Sequence, residues 1–352
     1  MKSRFFLHVV LTVAILSPFV LQAQDKWYRG NIHTHTSASD GVNTLEQVVD
    51  IYKNLKYDFL VITDHDMVTP CEHLSTSSFL MIQGDELSGN EHWGALNLKT
   101  NFSWANLSRQ DIIDRINAQS AIPILNHPRW AWIYFTVEDV LALNNINHIE
   151  IYNTLTDGWR YTPDTALWDG ILSAGRLMFG VGADDYHESP IEGKVYVGRS
   201  WIMVRSASLD RDQILSAIRR GDYYISTGAN FSNISYANNV ISVSVVNGRE
   251  ISFIGKNGAK LKTVTGETAT YDVVGNEGYV RVAAFNRAGQ QAYSQPVVFF
   301  GAGRLAWRLA VSSGNKQSAP AGQALSSPLV AKLSDGNNAP VANERVLFQV
   351  TA

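Results

Sequence analysis

Apolar runs separated by helical segments fill the first two thirds of the chain and predict a parallel β-sheet. Continuous apolar stretches at residues 59–63, 80–82 and 177–182 have the length and composition of strands that are buried on both faces. Segments with helical spacing alternate with them, and residues 111–119 and 210–220 are the clearest examples. Repeated strand–helix units of this size predict an α/β fold whose sheet is either open or closed into a barrel.

The pattern changes after Gly228, where short alternating segments replace the strand–helix units. Residues 240–245 alternate apolar and polar side chains, and turn-forming pairs such as Asn257-Gly258 separate further strand-like segments. We therefore predict a small all-β, sandwich-like domain over residues 229–300. Residues 301–352 contain about half the strands that a sandwich needs, so we expect them to complete a sheet elsewhere or to continue in a longer protein.

Composition places the chain among ordinary globular proteins. Hydrophobic residues make up 45% of the 352 positions and charged residues 17%, which excludes a disordered chain. The net charge of −3, with no basic run beyond Arg219-Arg220, argues against a nucleic-acid partner. We predict a small-molecule or phosphoester substrate instead, and the oligomeric state stays open.

The first 23 residues have the layout of a secretory signal peptide. Two basic residues precede an uncharged apolar core at residues 9–20, and Ala23 marks the predicted cleavage position. An uncleaved anchor is the alternative, although this run is short for the roughly 20 residues of a membrane span, and no other stretch is apolar enough to cross a bilayer. The single cysteine, Cys71, excludes a disulfide within the chain. We predict export to a bacterial periplasm or beyond, with stability coming from packing and metal.

Candidate chemistry begins with His33 and His35, which follow the first predicted strand. Alternate residues of a strand point to one face, so both imidazoles can reach one metal ion, but such a pair alone is not specific. Later strands run into the same residue types: Asp64-His65, Asp85-Glu86, Asn126-His127, Glu150 and Asp184-Asp185-Tyr186-His187. The carboxyl ends of parallel strands lie at the same end of a sheet or barrel, so we expect these side chains to lie close together. Histidine and carboxylate ligands predict a site for zinc, manganese or iron rather than a thiolate site.

Seven short segments form an ordered set that is specific as a whole, although each alone is common. They are His33-Thr34-His35, Ser39-Asp40-Gly41, Ile62-Thr63-Asp64-His65, Gly84-Asp85-Glu86, Asn126-His127-Pro128, Glu150-Ile151-Tyr152-Asn153 and Asp185-Tyr186-His187. This set resembles the motifs of the PHP (polymerase and histidinol phosphatase) domain, and most of all the exported metallohydrolases of the CehA/McbA type. The resemblance implies a distorted (β/α)7 barrel over residues 24–228, with two or three divalent metal ions at its strand ends.

The resemblance also implies three groups of ligands. The groups are His33, His35, Glu86 and Asp185 for the first metal, Glu86, His127 and Glu150 for the second, and Asp40, His65 and His187 for the third. Glu150 stands where many members of the family have histidine or cysteine. Of the adjacent Asp184 and Asp185, we predict the second as the ligand, because it lies two residues before His187 and shares its side of an extended strand. Asp184 is then expected to face the flanking layer or to cap a neighbouring backbone N–H.

A site of this kind predicts metal-dependent hydrolysis, and we favour a phosphate ester as the substrate. A water that bridges two metals loses its proton near neutral pH, and the hydroxide is the nucleophile. Arg129 and Arg160 are candidate phosphate clamps and His92 is a candidate substrate contact, although each is equally compatible with a structural role. The sequence contains no Ser-His-Asp nucleophile elbow and no P-loop.

Two alternatives stay open at this point. The same hydroxide can attack the carbonyl of a carbamate, carboxyl ester or amide, and the aromatic residues at 130–135 would suit a small aromatic substrate. The segment that starts at Leu305 is similar to the beginning of a bacterial Ig-like repeat, which favours a surface binding or adhesion protein with a degenerate barrel. The near-complete ligand set argues against this second alternative.

Overall fold

The structure is a computed structural model that describes residues 25–130, 132–157, 163–187, 196–298, 308–313, 327 and 330–334. The predicted signal peptide, Arg160 and most of the predicted Ig-like segment lie outside the described residues. The described part is a mixed α/β fold with one large sheet and few helices. No helix in this part of the chain is long and apolar enough to cross a membrane.

The described residues before Gly228 form nine strands and six α-helices, besides a short 3-10 helix at Glu72–Leu74. The strands are β1 Lys26–Asn31, β2 Phe59–Ile62, β3 Leu80–Ser88, β4 His92–Leu96, β5 Ile122–Leu125, β6 His148–Asn153, β7 Phe179–Ala183, β8 Trp201–Ser206 and β9 Tyr223–Ser226. The helices are α1 Leu45–Asn54, α2 Arg109–Ala118, α3 Val137–Leu141, α4 Thr154–Asp157, α5 Thr165–Ser173 and α6 Arg211–Arg220. The longer helices begin where the sequence supplies a capping side chain. Thr44 and Ser108 form capping boxes, and Asp164 and Asp210 accept hydrogen bonds from the first turns of α5 and α6.

The strands from β1 to β7 are neighbours in one sheet, and their order follows the chain. β1, β2 and β3 are parallel, as are β5, β6 and β7, whereas β4 runs antiparallel between β3 and β5. Just beyond the strands, the Asp185 N–H donates to the His33 carbonyl at 3.1 Å and the His35 N–H donates to the Tyr186 carbonyl at 2.9 Å. The chain that leaves β7 is therefore hydrogen-bonded to the chain that leaves β1.

β4 runs antiparallel to its neighbours, whereas the strand–helix pattern predicts a parallel sheet. Only residues 89–91 separate β3 from β4, and a parallel connection needs a crossover of a dozen or more residues. The two strands therefore form a hairpin, with Glu86 paired to Gly94 and Ser88 paired to His92. As a consequence, the first residue of β4 lies at the same end of the sheet as the last residues of the parallel strands.

The second part of the described chain is all β. Its strands are β10 Phe231–Ala237, β11 Val240–Val245, β12 Gly248–Gly255, β13 Ala259–Thr265, β14 Thr268–Asp272, β15 Tyr279–Asn286, β16 Gln291–Ser294 and β17 Val297–Val298. β10, β11 and β14 form a separate three-stranded sheet, whose buried side chains share a core with β12 and β15. β16 pairs with β9, so the large sheet continues from the first part of the chain into the second. Beyond it, β18 Arg308–Ser313 and β19 Val330–Ser334 pair antiparallel.

A fully apolar core supports the end of the sheet at which the candidate site lies. Val61, Ile82, Ile124 and Val181 come from β2, β3, β5 and β7 and are buried in one cluster. Because close-packed side chains in rotamer minima resist displacement, the strand ends are held at fixed separations. The residues that follow these strands are therefore presented on a rigid frame.

Candidate metal centre

The predicted ligands converge at the end of the large sheet where the parallel strands finish. They are His33 and His35 after β1, Asp40 in the following loop, His65 after β2, Glu86 in β3, His127 after β5, Glu150 in β6, and Asp185 and His187 after β7. These nine residues are called the metal centre below. Six of them are buried, while Asp40, His65 and His187 face the solvent side. The centre is therefore a deep site with one open side.

The first group of ligand atoms has the spacing that a metal ion requires. Nε2 of His33 lies 3.0 Å from Oε2 of Glu86 and 3.1 Å from Oδ1 of Asp185, and Nε2 of His35 lies 3.2 Å from each of the same two oxygens. Ligands at about 2.0–2.1 Å from a tetrahedral ion are about 3.3 Å apart. Both Nε2 atoms and Oδ1 of Asp185 are buried and lack a hydrogen-bond partner among the described residues. The four side chains therefore fit a divalent metal.

The second group surrounds Glu150, whose two oxygens both have close polar neighbours. Oε1 lies 3.1 Å from Nδ1 of His33, and Oε2 accepts hydrogen bonds from the His127 N–H and from Nδ2 of Asn153, both at 2.9 Å. A metal-binding histidine usually donates its other ring N–H to a carboxylate, which fixes the ring. Glu150 is thus placed to orient His33, and its role as a ligand with His127 stays a prediction. Nδ1 of His127 is buried without a partner in the described structure.

The third group lies at the open side of the centre. Oδ1 of Asp40 is 3.2 Å from Nε2 of His187, and Oδ2 is 3.5 Å from Nε2 of His65. His35 also approaches this group, with Nδ1 at 3.6 Å from Oδ1 of Asp40. The Asp40 side chain is 54% exposed, so a ligand could reach this position directly from solvent.

The three candidate substrate contacts differ in where they lie relative to the metal centre. His92 joins the centre through the hairpin, with Nδ1 at 3.2 Å from Oε1 of Glu86, and it forms a further possible ligand group with Glu86 and His65. Arg129 lies beside the centre, with Nη1 at 3.7 Å from Oδ1 of Asp164. Arg160 lies outside the described residues. Contact of these side chains with a substrate stays a prediction.

Supporting residues, which the sequence argument did not assign, hold the carboxylates and one loop in place. Asn126 donates to Oε1 of Glu86 at 2.8 Å, and Asn153 donates to Oδ2 of Asp185 at 3.0 Å as well as to Glu150. Asp64 accepts from the Thr36 N–H at 2.6 Å and from the Ser39 hydroxyl at 3.0 Å, and so fixes the loop that leads to Asp40. Two of these residues could have been identified from their place in the sequence, because Asn126 and Asp64 directly precede predicted ligands.

Asp184 and Asp185 face different environments, and the role of Asp185 as a ligand stays a prediction. Asp184 is completely buried and accepts hydrogen bonds from the N–H groups of Gly198, Arg199 and Ser200 at 2.7–3.0 Å. Asp185 instead turns into the metal centre. Its φ of 53° lies in the left-handed region, so a local turn and not simple strand alternation brings it and His187 to the same side.

The charges of the centre depend on one another. Burial lowers the pKa of His33, but the carboxylates of Asp185 and Glu86 outweigh this effect and raise that pKa well above its usual value. Burial raises the pKa of Glu86, but neighbouring histidines, His33 foremost, hold it well below its usual value. The pKa of His65 rises to about 9 because Asp40 and Glu86 offset the effect of burial. The carboxylates therefore attract positive charge, which either protons or a divalent cation can supply.

Comparison with known proteins gives distant structural neighbours. No protein-family model matches the chain, and no curated protein matches it. One neighbour is a two-domain protein from Bacteroides vulgatus that contains a predicted PHP-like metal-dependent phosphoesterase, with 13% identity, a TM-score of 0.44, and coverage of 79% of this chain and 88% of that one. Another, from Bifidobacterium adolescentis, is inferred to be a metal-dependent phosphoesterase and has 12% identity, a TM-score of 0.36, and coverage of 55% and 96%.

A third neighbour is an amidohydrolase from Chromobacterium violaceum with bound sulfate and no metal. It has 14% identity, a TM-score of 0.34, and coverage of 46% of this chain and 88% of that one. The identities and TM-scores of these three neighbours are too low to transfer an activity to this chain.

Proposed function

We propose that the protein is a metal-dependent phosphoesterase that acts at the metal centre. One observation carries this proposal: His33, His35, Glu86 and Asp185 bring four ligand atoms together at metal-like spacing. Three of these buried atoms have no hydrogen-bond partner in the described part of the chain, and the polar side-chain atoms nearest to them belong to the same group. Leaving buried polar atoms unpaired costs about 1–3 kcal/mol each, so a bound cation accounts for the arrangement.

Glu86 is placed to connect neighbouring metal positions. Its Oε2 faces His33, His35 and His65, whereas its Oε1 faces His127 and His92. This division supports the bridging role that the family resemblance implies, with two or three divalent ions of zinc, manganese or iron. When bound, such ions supply Lewis-acid activation of water and offset the charge on the phosphate oxygens.

The open side of the centre supports access by a small substrate. Asp40 and His187 line this side, and His92 and Trp130 stand next to His127, with the Trp130 ring 5.2 Å from the His127 ring. The Trp130 ring packs edge-on against His127, which is buried, and burial strengthens electrostatic interactions inside the centre. Arg129 directly precedes Trp130 in the chain. Its guanidinium has a planar set of N–H donors that suits the oxygens of a phosphate.

The finer structural proposals concern the barrel and its surroundings. We propose that residues 24–228 form a distorted barrel of the PHP type, and the hydrogen bonds that join the chain after β1 to the chain after β7 support closure. We also propose a CehA/McbA-like exported enzyme. The signal peptide over residues 1–23, the β domain over residues 229–300 and the Ig-like segment over residues 301–352 stay predictions from sequence.

The test combines metal analysis with a panel of substrates. Metal content of the purified protein would be measured by mass spectrometry, and hydrolysis would be measured with bis-p-nitrophenyl phosphate, p-nitrophenyl phosphate and 1-naphthyl N-methylcarbamate. We expect phosphoester hydrolysis that a chelator removes and added zinc or manganese restores. Cleavage of the carbamate alone would favour the carbonyl alternative. A fully metal-loaded protein that cleaves none of the three would favour a binding protein.

A further inference from the structure

A small cavity adjoins the metal centre on the side of His127 and Glu150. Its wall includes Arg129, Trp130 and Asp164. The space of about 10 Å³ is close to what one water-sized group occupies. Because it opens from the candidate ligands, a group bound there would belong to a substrate held at the centre.

Asp164 leaves one carboxylate oxygen unused in this cavity. The residue is 9% exposed, and its Oδ1 caps helix α5 by accepting from the Leu167 N–H at 3.3 Å. Its Oδ2 is buried and has no hydrogen-bond partner within the described residues. Arg129 does not satisfy it, because its nearest contact is Nη1 at 3.7 Å from Oδ1, which is beyond hydrogen-bond distance. The cavity therefore contains an acceptor that needs a donor.

The charges around the cavity restrict the chemistry of that donor. A second phosphate would be repelled by the Asp164 carboxylate, and an ammonium group would be repelled by the Arg129 guanidinium. A hydroxyl suits both, since it can donate to a carboxylate and accept from a guanidinium at the same time. The Trp130 ring forms one wall, and the ring of Trp132, which is 73% exposed, lies 5.3 Å from it. These rings offer an apolar surface to the carbon face of a hydroxylated ring.

We infer that the cavity between Arg129 and Asp164 binds a hydroxyl of the leaving group, and that the substrate is therefore a phosphate ester of a sugar or another polyol. The inference rests on the proposed phosphoesterase function. In this arrangement Asp164 is a specificity-determining residue, because a substrate without the hydroxyl leaves its buried Oδ2 unpaired. Asp164 therefore favours substrates whose leaving group carries the hydroxyl over substrates whose leaving group lacks it.

The experiment compares phosphate esters of polyols with the phosphate ester of a plain ring, and myo-inositol 1-phosphate and cyclohexyl phosphate are the pair that differ only in hydroxylation. Values of kcat/KM would be measured for myo-inositol 1-phosphate, glucose 1-phosphate and glycerol 2-phosphate, with cyclohexyl phosphate as the ring without hydroxyls. Asp164→Asn retains a side-chain oxygen for the helix cap and so should fold. We expect it to lower kcat/KM for the preferred polyol phosphate about 10- to 100-fold, and to change cyclohexyl phosphate hydrolysis less than about threefold. Asp210→Asn, at the cap of α6, is the matched control and should change neither.

A binding measurement separates failure of this inference from failure of the proposed function. Calorimetric titration of the metal-loaded protein with myo-inositol 1-phosphate, glucose 1-phosphate, glycerol 2-phosphate and cyclohexyl phosphate requires no turnover. If no phosphate is cleaved but a polyol phosphate binds more tightly than cyclohexyl phosphate, in an Asp164-dependent way, hydroxyl recognition by the cavity stands, whereas the phosphoesterase proposal and the leaving-group assignment fail. If all four phosphates are cleaved equally well, or if Asp164→Asn affects all of them equally, the inference is overturned while the phosphoesterase proposal stands. If none binds or is cleaved, both are overturned.

Discussion

The metal centre and the contact between α5 and β15 both bury ionisable side chains. The two regions differ in whether other protein groups hydrogen-bond to the buried atoms. In the contact, which we call the α5–β15 cluster, Asp169 accepts from Arg281 through Nε at 2.8 Å and Nη2 at 2.7 Å, and from the Tyr279 hydroxyl at 2.7 Å. Both oxygens of Asp169 are therefore used. In the metal centre, Nε2 of His33 and Nε2 of His35 form no hydrogen bond with the described residues, and their nearest polar atoms are the carboxylate oxygens of the proposed ligands Glu86 and Asp185.

This difference separates buried charge that holds a fold together from buried charge that is arranged for a ligand. Burying ionised groups is costly unless they are paired and hydrogen-bonded. In the α5–β15 cluster, protein groups alone pair both oxygens of Asp169 with Nε and Nη2 of Arg281, and only Nη1 of Arg281 is buried without a hydrogen-bond partner among the described residues. The cluster links the first part of the chain to the second. The metal centre meets the condition of pairing only when positive charge is added from outside. Burial by itself does not identify a functional site, but burial with convergent unpaired atoms does.

The largest expected effect is the loss of Asp185 from the metal centre. Asp185→Ala removes Oδ1 from the first ligand group, so we expect the loss of at least one metal equivalent and a fall in kcat/KM of about 10³-fold or more, since metal activation is worth several kcal/mol. Metal content and phosphoester hydrolysis would be measured on the same sample. A variant that keeps all its metal would show that Asp185 is not a ligand.

The corresponding change in the α5–β15 cluster should affect stability and not metal. Asp169→Ala leaves the Arg281 guanidinium buried without its partner, and we expect the free energy of unfolding to fall by about 3–5 kcal/mol. Metal content and kcat/KM of the folded fraction should be unchanged. The double variant Asp169→Leu with Arg281→Met is the control and should recover most of the stability. A loss of metal in Asp169→Ala would contradict the comparison.

The sequence indicated which side chains converge at the strand ends better than it indicated the residues around them. His33, Glu86 and Asp185 could be found because apolar strands run directly into them and parallel strands finish at a common end. The place of His92 beside Glu86 depends on the antiparallel direction of β4, which the strand–helix pattern did not indicate. A short connection between two strands was the available signal.

The α5–β15 cluster was not predictable for a different reason. Asp169 and Arg281 are 112 residues apart, and neither belongs to a periodic pattern or a motif. Their pairing depends on how β15 packs against α5, which local sequence does not encode. The same holds for the cavity beside Arg129, because it exists only where the chain after β5 meets the N-terminus of α5.

A moderate effect on stability is expected at Asp184. This residue is next to the proposed ligand Asp185, but its carboxylate is hydrogen-bonded to protein groups, like that of Asp169 in the α5–β15 cluster. Asp184→Asn replaces an acceptor of three backbone N–H groups with an amide that presents its own donors. We expect a loss of about 1–3 kcal/mol in the free energy of unfolding, with metal content retained. Thermal denaturation and metal analysis would be compared with Asp185→Ala. If Asp184→Asn loses metal while Asp185→Ala keeps it, the assignment is wrong by one residue.

The smallest expected effect is a difference in how pH changes the stability of the metal-free and metal-loaded protein. In the metal-free protein the pKa of His33 is raised by Asp185 and Glu86, which outweigh burial, and the pKa of His65 is raised to about 9 by Asp40 and Glu86. A raised folded-state pKa adds stability that is fully present below the unfolded value of about 6.5 and is lost as pH rises through the folded value. The Tm in EDTA should therefore fall between pH 6.5 and pH 9.

Metal should reverse this slope, because its ligands bind as unprotonated imidazoles and its binding releases protons. The Tm in saturating zinc should hold steady or rise over the same pH range, so the gap between the two preparations should widen as the pH increases. Asp185→Ala is the informative control, since it removes one of the carboxylates that raise the pKa of His33, and its Tm in EDTA should fall less steeply. Parallel slopes in EDTA and in zinc would mean that protons and metal do not compete for the same side chains, and the metal centre would then belong with the α5–β15 cluster as buried charge of a structural kind.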